Sequence, residues 1–401
     1  MKTEEIIALS QKYLMNTYNR LPMAPVKGKG AWLWDADGKK YLDFVSGLAV
    51  CNLGHSYPKV LYAIARQARK LLHVSNIYHI DHQAELAELL VKNSFADKAF
   101  FCNSGAEANE AAVKLARKYA RKVLKQDRYE VITMRNSFHG RTLAMITATG
   151  QEKFQKDFEP LVPGFRYADF GSIESLEKTI TPQTIAVMVE PIQGEGGVRI
   201  ASPDYFKSLR DFCNQRKLLL IFDEVQVGLG RTGTLFAYEQ FGVTPDMMTL
   251  AKALGGGLPI GAMLARDGVA EAFQPGDHAA TFGGGPFVTA VACETVRSIL
   301  KEGVPNVKSL QGYLRSSLER LAREFRFIRE VRGVGFILAL DLDREARPLV
   351  VKFLKEGLLL NAVQPQSLRL LPPLIIKKKE IDTALAIMKK VFNEERSAHT
   401  S

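Results

Sequence analysis

Short apolar runs alternate with helix-spaced stretches along the middle of the chain. Val131–Met134, Ala144–Thr147, Ile185–Val189, Leu218–Phe222, Met247–Leu250 and Ile260–Leu264 are β-rich and nearly free of polar interruptions. Runs of this kind suit strands buried on both faces. The stretches between them carry helical periodicity. The pattern predicts an α/β region over roughly residues 55–290, with a mostly parallel sheet and right-handed crossovers.

The two ends read differently. Residues 1–45 suggest a helix, a turn and a small hairpin, in which Ala31-Trp32-Leu33-Trp34 turns through Asp35-Ala36-Asp37-Gly38 into Lys39-Lys40-Tyr41-Leu42. Residues 300–401 suggest an α+β unit, with helices near 306–324, 346–356 and 379–394 around strands Gly335–Asp341 and Leu368–Leu371. No repeat or long linker separates these regions. The expected division is an N-terminal segment 1–54 packing with a small C-terminal domain 296–401, beside a large domain 55–295.

Composition narrows the class. Apolar residues make up 46% of the 401, enough for a sizeable core, and charged residues at 24% match an ordinary soluble protein. The net charge of +11 comes from dispersed basic residues. Without an aromatic-interleaved stripe or zinc-finger spacing, it favours small anions over nucleic acid. Cys51, Cys102, Cys213 and Cys293 form no CxxC pair and have no His at metal spacing. No metal site is expected, and reduced thiols suit a cytoplasmic protein. The start MKTEEIIALS has two acids before any apolar stretch, unlike a secretory signal, and no run approaches the ~20 residues that span a bilayer.

Three segments carry candidate chemistry. Ser104-Gly105-Ala106-Glu107 opens a helix with a capping-box spacing, and Val113, Ala116, Ala120 and Val123 recur on one side of it. A helix start with a glycine is a place for an anion, though it is also what any well-capped helix has. Leu218–Phe222 runs straight into Asp223, placing a carboxylate at the carboxyl end of a buried strand. That is the ligand edge of an open α/β sheet, and a carboxylate there needs a positive partner such as a protonated pyridine nitrogen. Met248–Ala251 leads into Lys252 and then Gly255-Gly256-Gly257. A lysine there is either a solvated loop residue or, if buried, one with the depressed pKa that Schiff-base chemistry requires. Gly228-Leu-Gly230-Arg-Thr-Gly233 fits a dinucleotide fingerprint by letter only, because no helix pattern opens after it.

These segments, with Ser137-Phe138-His139-Gly140-Arg141-Thr142 and Glu190-Pro191-Ile192-Gln193-Gly194-Glu195-Gly196-Gly197, together resemble the class III (subgroup II) aminotransferases, from Gly28 to Pro373. The resemblance implies a pyridoxal-phosphate-dependent transferase of fold type I. Its large domain would hold a mostly parallel seven-stranded sheet beside a smaller α+β domain, in a homodimer with active sites at the interface. It implies that Lys252 holds the cofactor and moves the proton, and that Asp223 pairs with the ring nitrogen. Gln226 would reach the ring hydroxyl, with Val225 and Phe138 on the two ring faces. Ser104, Gly105 and Ala106 would hold the phosphate, completed by Thr281 of the other subunit. Arg141 is similar to the family's α-carboxylate clamp. Glu195 and Arg369 are similar to a switch pair that alternates between two substrates, although a plain structural salt bridge is the other reading.

The implied reaction moves the δ-amino group of N2-acetylornithine to 2-oxoglutarate, giving N-acetylglutamate 5-semialdehyde and glutamate, a step of arginine synthesis. Ornithine, succinylornithine, 4-aminobutyrate and N-succinyl-diaminopimelate remain open as amino donors, with an aminomutase the more distant alternative. Family members acting on free ornithine have a tyrosine where this chain has Leu48, and an apolar residue suits an acylated substrate. Tyr18 could line the same pocket. The family usually reads Ser/Thr-Thr before Phe/Tyr-Gly-Gly-Asn-Pro. Here Ala280-Thr281-Phe282-Gly283-Gly284-Gly285-Pro286 lacks one hydroxyl beside the substrate and the asparagine.

Overall fold

The computed structural model describes residues 1–397. Its centre is a seven-stranded sheet in the order Lys98–Cys102, Gly261–Ala265, Met247–Leu250, Leu219–Asp223, Thr184–Val189, Glu130–Met134, Phe165–Ala168. Every pairing is parallel except the two made by Gly261–Ala265. The five inner strands are buried at every position, as their unbroken apolar runs require.

The helix Gly105–Lys122 packs on this sheet through a face of small residues. Ala108, Ala111, Ala112 and Ala116 are wholly buried, which lets the helix approach closely. Val113 and Ala120 share that burial, but Val123 does not. It is the cap residue just past the helix end, where the helix leaves the sheet, and is 46% exposed although its N–H still bonds to the Tyr119 carbonyl.

One apolar run is not a strand. Ala144–Thr147 lies inside the helix Leu143–Ala148, where the Thr142 hydroxyl caps the N–H of Met145 at 3.3 Å. Short apolar runs are ambiguous between helix and strand, and here the cap decides.

The N-terminal hairpin forms as expected from Trp32–Asp35 and Lys40–Asp43. It belongs to a four-stranded sheet whose outer members are Pro25–Lys29 and, from far along the chain, Leu358–Leu359. A third, antiparallel sheet has the order Ile328–Val334, Ile337–Leu342, Ser367–Leu370, Asn361–Gln364. Helices Val304–Glu324, Ala346–Lys355 and Lys378–Ser397 accompany it. The chain reaches this part through Pro286–Ser298 and a π-turn, Ile299–Gly303, that leads into Val304–Glu324.

The Gly228–Gly233 loop opens no helix. Its Arg231 is buried and donates to the carbonyls of Phe336 and Pro372 and to Asn52. Burial lowers this guanidinium to about 9. The loop is a bolt between the central sheet and the C-terminal part.

Candidate active site

A cavity of about 400 Å³ opens at the carboxyl ends of the parallel strands. Ser104, Gly105, Ala106, Phe138, Glu195, Asp223, Val225, Gln226 and Lys252 all line it. Nine positions expected from the sequence therefore meet in one space, brought from five separate strand ends.

The helix start on its floor is capped as the spacing predicts, with one change. The Ser104 hydroxyl accepts the N–H of Glu107 at 3.2 Å, but the Glu107 carboxylate reaches back to the N–H of Asn103 at 2.6 Å. Gly105 is required by a neighbour: a Cβ there would stand 2.7 Å from Cγ1 of Val225. Backbone N–H groups and a positive helix end thus face the cavity with no side chain over them.

Lys252 follows the strand Met247–Leu250 in a left-handed backbone conformation, with φ of 45°. A non-glycine residue held this way stores strain on the order of 1 kcal/mol, and such strain collects at functional sites. Among the described residues Lys252 makes no salt bridge, and its amine faces the cavity lining. Burial pushes it below the ordinary lysine range, against the opposing pull of Glu195. An unpaired amine of lowered pKa is a ready nucleophile.

Asp223 is 3% exposed and accepts three hydrogen bonds, from Asn109 and His139 side chains at 2.7 Å each and from the Val225 N–H at 3.0 Å. Nearby, Glu190 accepts the Phe138 N–H at 3.0 Å. Burial, reinforced by the charge on Asp223, raises Glu190 well above the carboxylate range. Asn109, His139 and Glu190 line the cavity and were not singled out from sequence. Only position could have flagged them, since Asn109 lies one helical turn after Gly105 and His139 directly follows Phe138.

Arg369, wholly buried on the strand Ser367–Leu370, donates to Glu195 at 2.7 Å and to the Gln226 carbonyl oxygen at 2.8 Å. The amide nitrogen of Gln226 reaches the same Glu195 oxygen at 3.2 Å. Gly194 makes this possible, because a Cβ there would lie 1.8 Å from Oε1 of Gln226. Burial raises Glu195, but Arg369 and Lys252 more than reverse it, so its carboxyl is held below the ordinary range.

The other expected site residues, those for the substrate and Thr281 for the phosphate, lie outside the cavity lining. Arg141 is exposed and stacks on Phe154 at 4.2 Å and on Phe138 at 5.5 Å. Leu48 stands in a left-handed turn, Ser46–Ala49, and Tyr18 lines a separate groove near the N-terminus. Thr281 is exposed on a loop that Asn76 holds through the carbonyls of Ala280 and Gly283, at 3.0 and 2.9 Å.

A cavity at strand ends, with an unpaired lysine opposite a three-donor carboxylate, invites comparison with known proteins. The family profile "Aminotransferase class-III" matches residues 13–392. The chain belongs to the class-III aminotransferases. A relative from Methanocaldococcus jannaschii named acetylornithine aminotransferase is 48% identical over 98% of this chain and 99% of its own. The crystal structure of ornithine aminotransferase from Toxoplasma gondii superposes with a TM-score of 0.95 at 33% identity, covering 99% of this chain and 96% of that one. N-acetylornithine aminotransferase from Stenotrophomonas maltophilia gives a TM-score of 0.85 at 39% identity, covering 98% and 100%.

As a class-III aminotransferase, the chain is a pyridoxal-phosphate-dependent enzyme of fold type I. Its residues fit that cofactor. The glycine-floored helix start suits a phosphate, the unpaired Lys252 suits a carbonyl carbon, and the fixed Asp223 suits a ring N–H. Among the described residues no cluster could hold a metal, and no helix is long and apolar enough to cross a membrane.

Proposed function

We propose that the enzyme transfers the δ-amino group of N2-acetylornithine to 2-oxoglutarate, yielding N-acetylglutamate 5-semialdehyde and glutamate. The observation that carries the two-substrate part is the 2.7 Å Glu195–Arg369 pair beside Lys252. A cavity that must take a neutral acyl-amino acid and then a dicarboxylate needs a positive charge that can be covered and uncovered. Glu195 covers Arg369 for the first substrate and releases it to clamp the second carboxylate. For the acyl group, the apolar Leu48 and the 48% identity to an acetylornithine enzyme point the same way.

When bound, pyridoxal phosphate supplies the electron sink and the carbonyl carbon that exchanges for the amine. The chain's residues do the rest. Lys252 would hold the cofactor covalently and, once displaced by the substrate amine, would carry the proton from the substrate's δ-carbon to the cofactor's C4′ carbon. Asp223 would pair with the ring nitrogen, Val225 and Phe138 would pack on the two ring faces, and the Gln226 amide nitrogen, which Glu195 now holds, would reach the ring hydroxyl. Ser104, Gly105 and Ala106 hold the phosphate. Arg141 would clamp the α-carboxylate by a bidentate pair, with Ala280 at the pocket edge.

The active unit in this reading is a homodimer in the cytoplasm, in which Thr281 of each copy completes the phosphate site of the other. The exposure of Thr281 and its bracing by Asn76 support this arrangement. The deciding experiment is a substrate panel. N-acetylornithine should exceed free ornithine in kcat/KM, whereas the reverse order would move the chain to the ornithine enzymes that its fold also matches.

A further inference from the structure

Asp223 is held by residues that are themselves held. Asn109 Nδ2 donates to Asp223 Oδ2 at 2.7 Å and to the His139 carbonyl at 2.7 Å. Both partners are acceptors, so the amide nitrogen must face them. The Asn109 oxygen then faces the Thr249 hydroxyl at 2.6 Å, which can only donate. Thr249 sits directly beside Asp223 on the neighbouring parallel strand. On the other side, His139 Nδ1 meets the same carboxylate oxygen at 2.7 Å, and its backbone N–H is tied to Thr149 at 2.9 Å. His139 Nε2 is buried with no partner, a setting that selects the Nδ1–H tautomer. Asn109, His139 and Thr249 are all buried, at 1%, 2% and 0% exposure.

We propose that Thr249, Asn109 and His139 act as a relay of positioning residues that fixes the direction and charge of Asp223. Through Asp223 they set the pH at which the cofactor's ring nitrogen loses its proton. The inference rests on the reading that Asp223 faces that nitrogen. A carboxylate offers about four acceptor sites. Three are taken by Asn109, His139 and the Val225 N–H, leaving one for a ring N–H. Each donor favours the ionised carboxylate, and an ionised partner keeps the ring nitrogen protonated. The surrounding charges do not supply this by themselves. Glu190 and Glu224 set acids against Asp223, while Lys252, with Glu195 and Arg369 beyond it, lies on the cavity side.

The test uses holoenzyme reconstituted with pyridoxal phosphate labelled with 15N in the ring, its NMR shift followed against pH, with cofactor affinity measured alongside. In His139→Phe the deprotonation midpoint should fall by about one to two pH units, the equivalent of one hydrogen bond to a charged group. His139→Asn, which returns a donor in place of Nδ1, should restore most of the shift. Thr249→Val frees Asn109 and should lower the midpoint by less. A purely structural role would weaken cofactor binding and leave the midpoint in place. Asp223→Ala separates the two failures. If it moves the midpoint while His139→Phe does not, the relay is overturned; if Asp223→Ala itself moves nothing, the placement of Asp223 at the ring nitrogen falls. Should His139→Phe not fold, Thr249→Val decides, and an unmoved midpoint there overturns the relay.

Discussion

Asp223 is 3% exposed and takes three hydrogen bonds from its own chain, whereas Leu48 and Tyr18 are 42% and 70% exposed. The same contrast runs round the cavity. On the cofactor side, Ser104, Gly105, Val225 and Lys252 converge from strand ends and a helix start onto one space. On the substrate side, Arg141, Leu48 and Tyr18 stand on turns and loops at the surface. One chain brings together most of the residues proposed for the cofactor, while most of those proposed for the substrate stay at its surface. That difference is what a rim completed by a second copy would leave, and it separates substitutions that damage chemistry from those that change selectivity.

The largest effect should come from the cofactor side. Lys252→Ala removes the group proposed to move the proton, and kcat should fall by about 10²–10⁴-fold. Borohydride should no longer fix the cofactor to the chain. The melting temperature of the cofactor-free protein should not fall, since the buried amine and the strained backbone at φ of 45° contribute no stability. If the wild-type label is recovered on another lysine, the contrast between the two sides is lost.

Arg369 stands where the two sides meet. Arg369→Ala should reduce kcat/KM for 2-oxoglutarate by about 10–100-fold, the equivalent of a charge-assisted pair. The N-acetylornithine half-reaction should lose less, because there Arg369 is covered by Glu195. Equal loss in both halves would make the pair a structural salt bridge. Leu48→Tyr comes next and should shift preference toward free ornithine by about 10-fold, within the 1–3 kcal/mol that one pocket contact supplies. Cofactor affinity should stay unchanged, and a change there would place Leu48 on the wrong side of the comparison.

How much could be read beforehand follows the same physics. The five inner strands were legible because burial on both faces leaves unbroken apolar runs. The two that were not read, Lys98–Cys102 and Phe165–Ala168, are the sheet's edges, where half-exposed positions interrupt the pattern. Lys252 and Asp223 were legible because a strand end and a glycine turn mark them locally. Asn109 and His139 were not. They meet Asp223 from 114 and 84 residues away, and no local spacing encodes such a meeting. Arg369 was placed from the family's pattern, and its contact with Gln226 emerged only in three dimensions.

The smallest expected effect concerns how the rim is anchored. Asp43 accepts the N–H groups of Val45 and Ser46 at 2.8 and 2.9 Å, and so holds the left-handed turn that carries Leu48. Its other oxygen meets His55 Nε2 at 2.7 Å. Burial alone would lower this imidazole, but the bond to Asp43, helped by Cys51, outweighs it and raises the group to about 9. A group raised on folding stabilises the native state fully below its unfolded value of 6.5, and that contribution is lost as pH rises through about 9. Between these limits the turn should loosen while the cradle around Asp223 does not. The KM for N-acetylornithine should therefore rise toward pH 9 with the cofactor retained, and His55→Gln should flatten that rise. Parallel loss of cofactor over the same range would mean that the two sides of the cavity share one anchor.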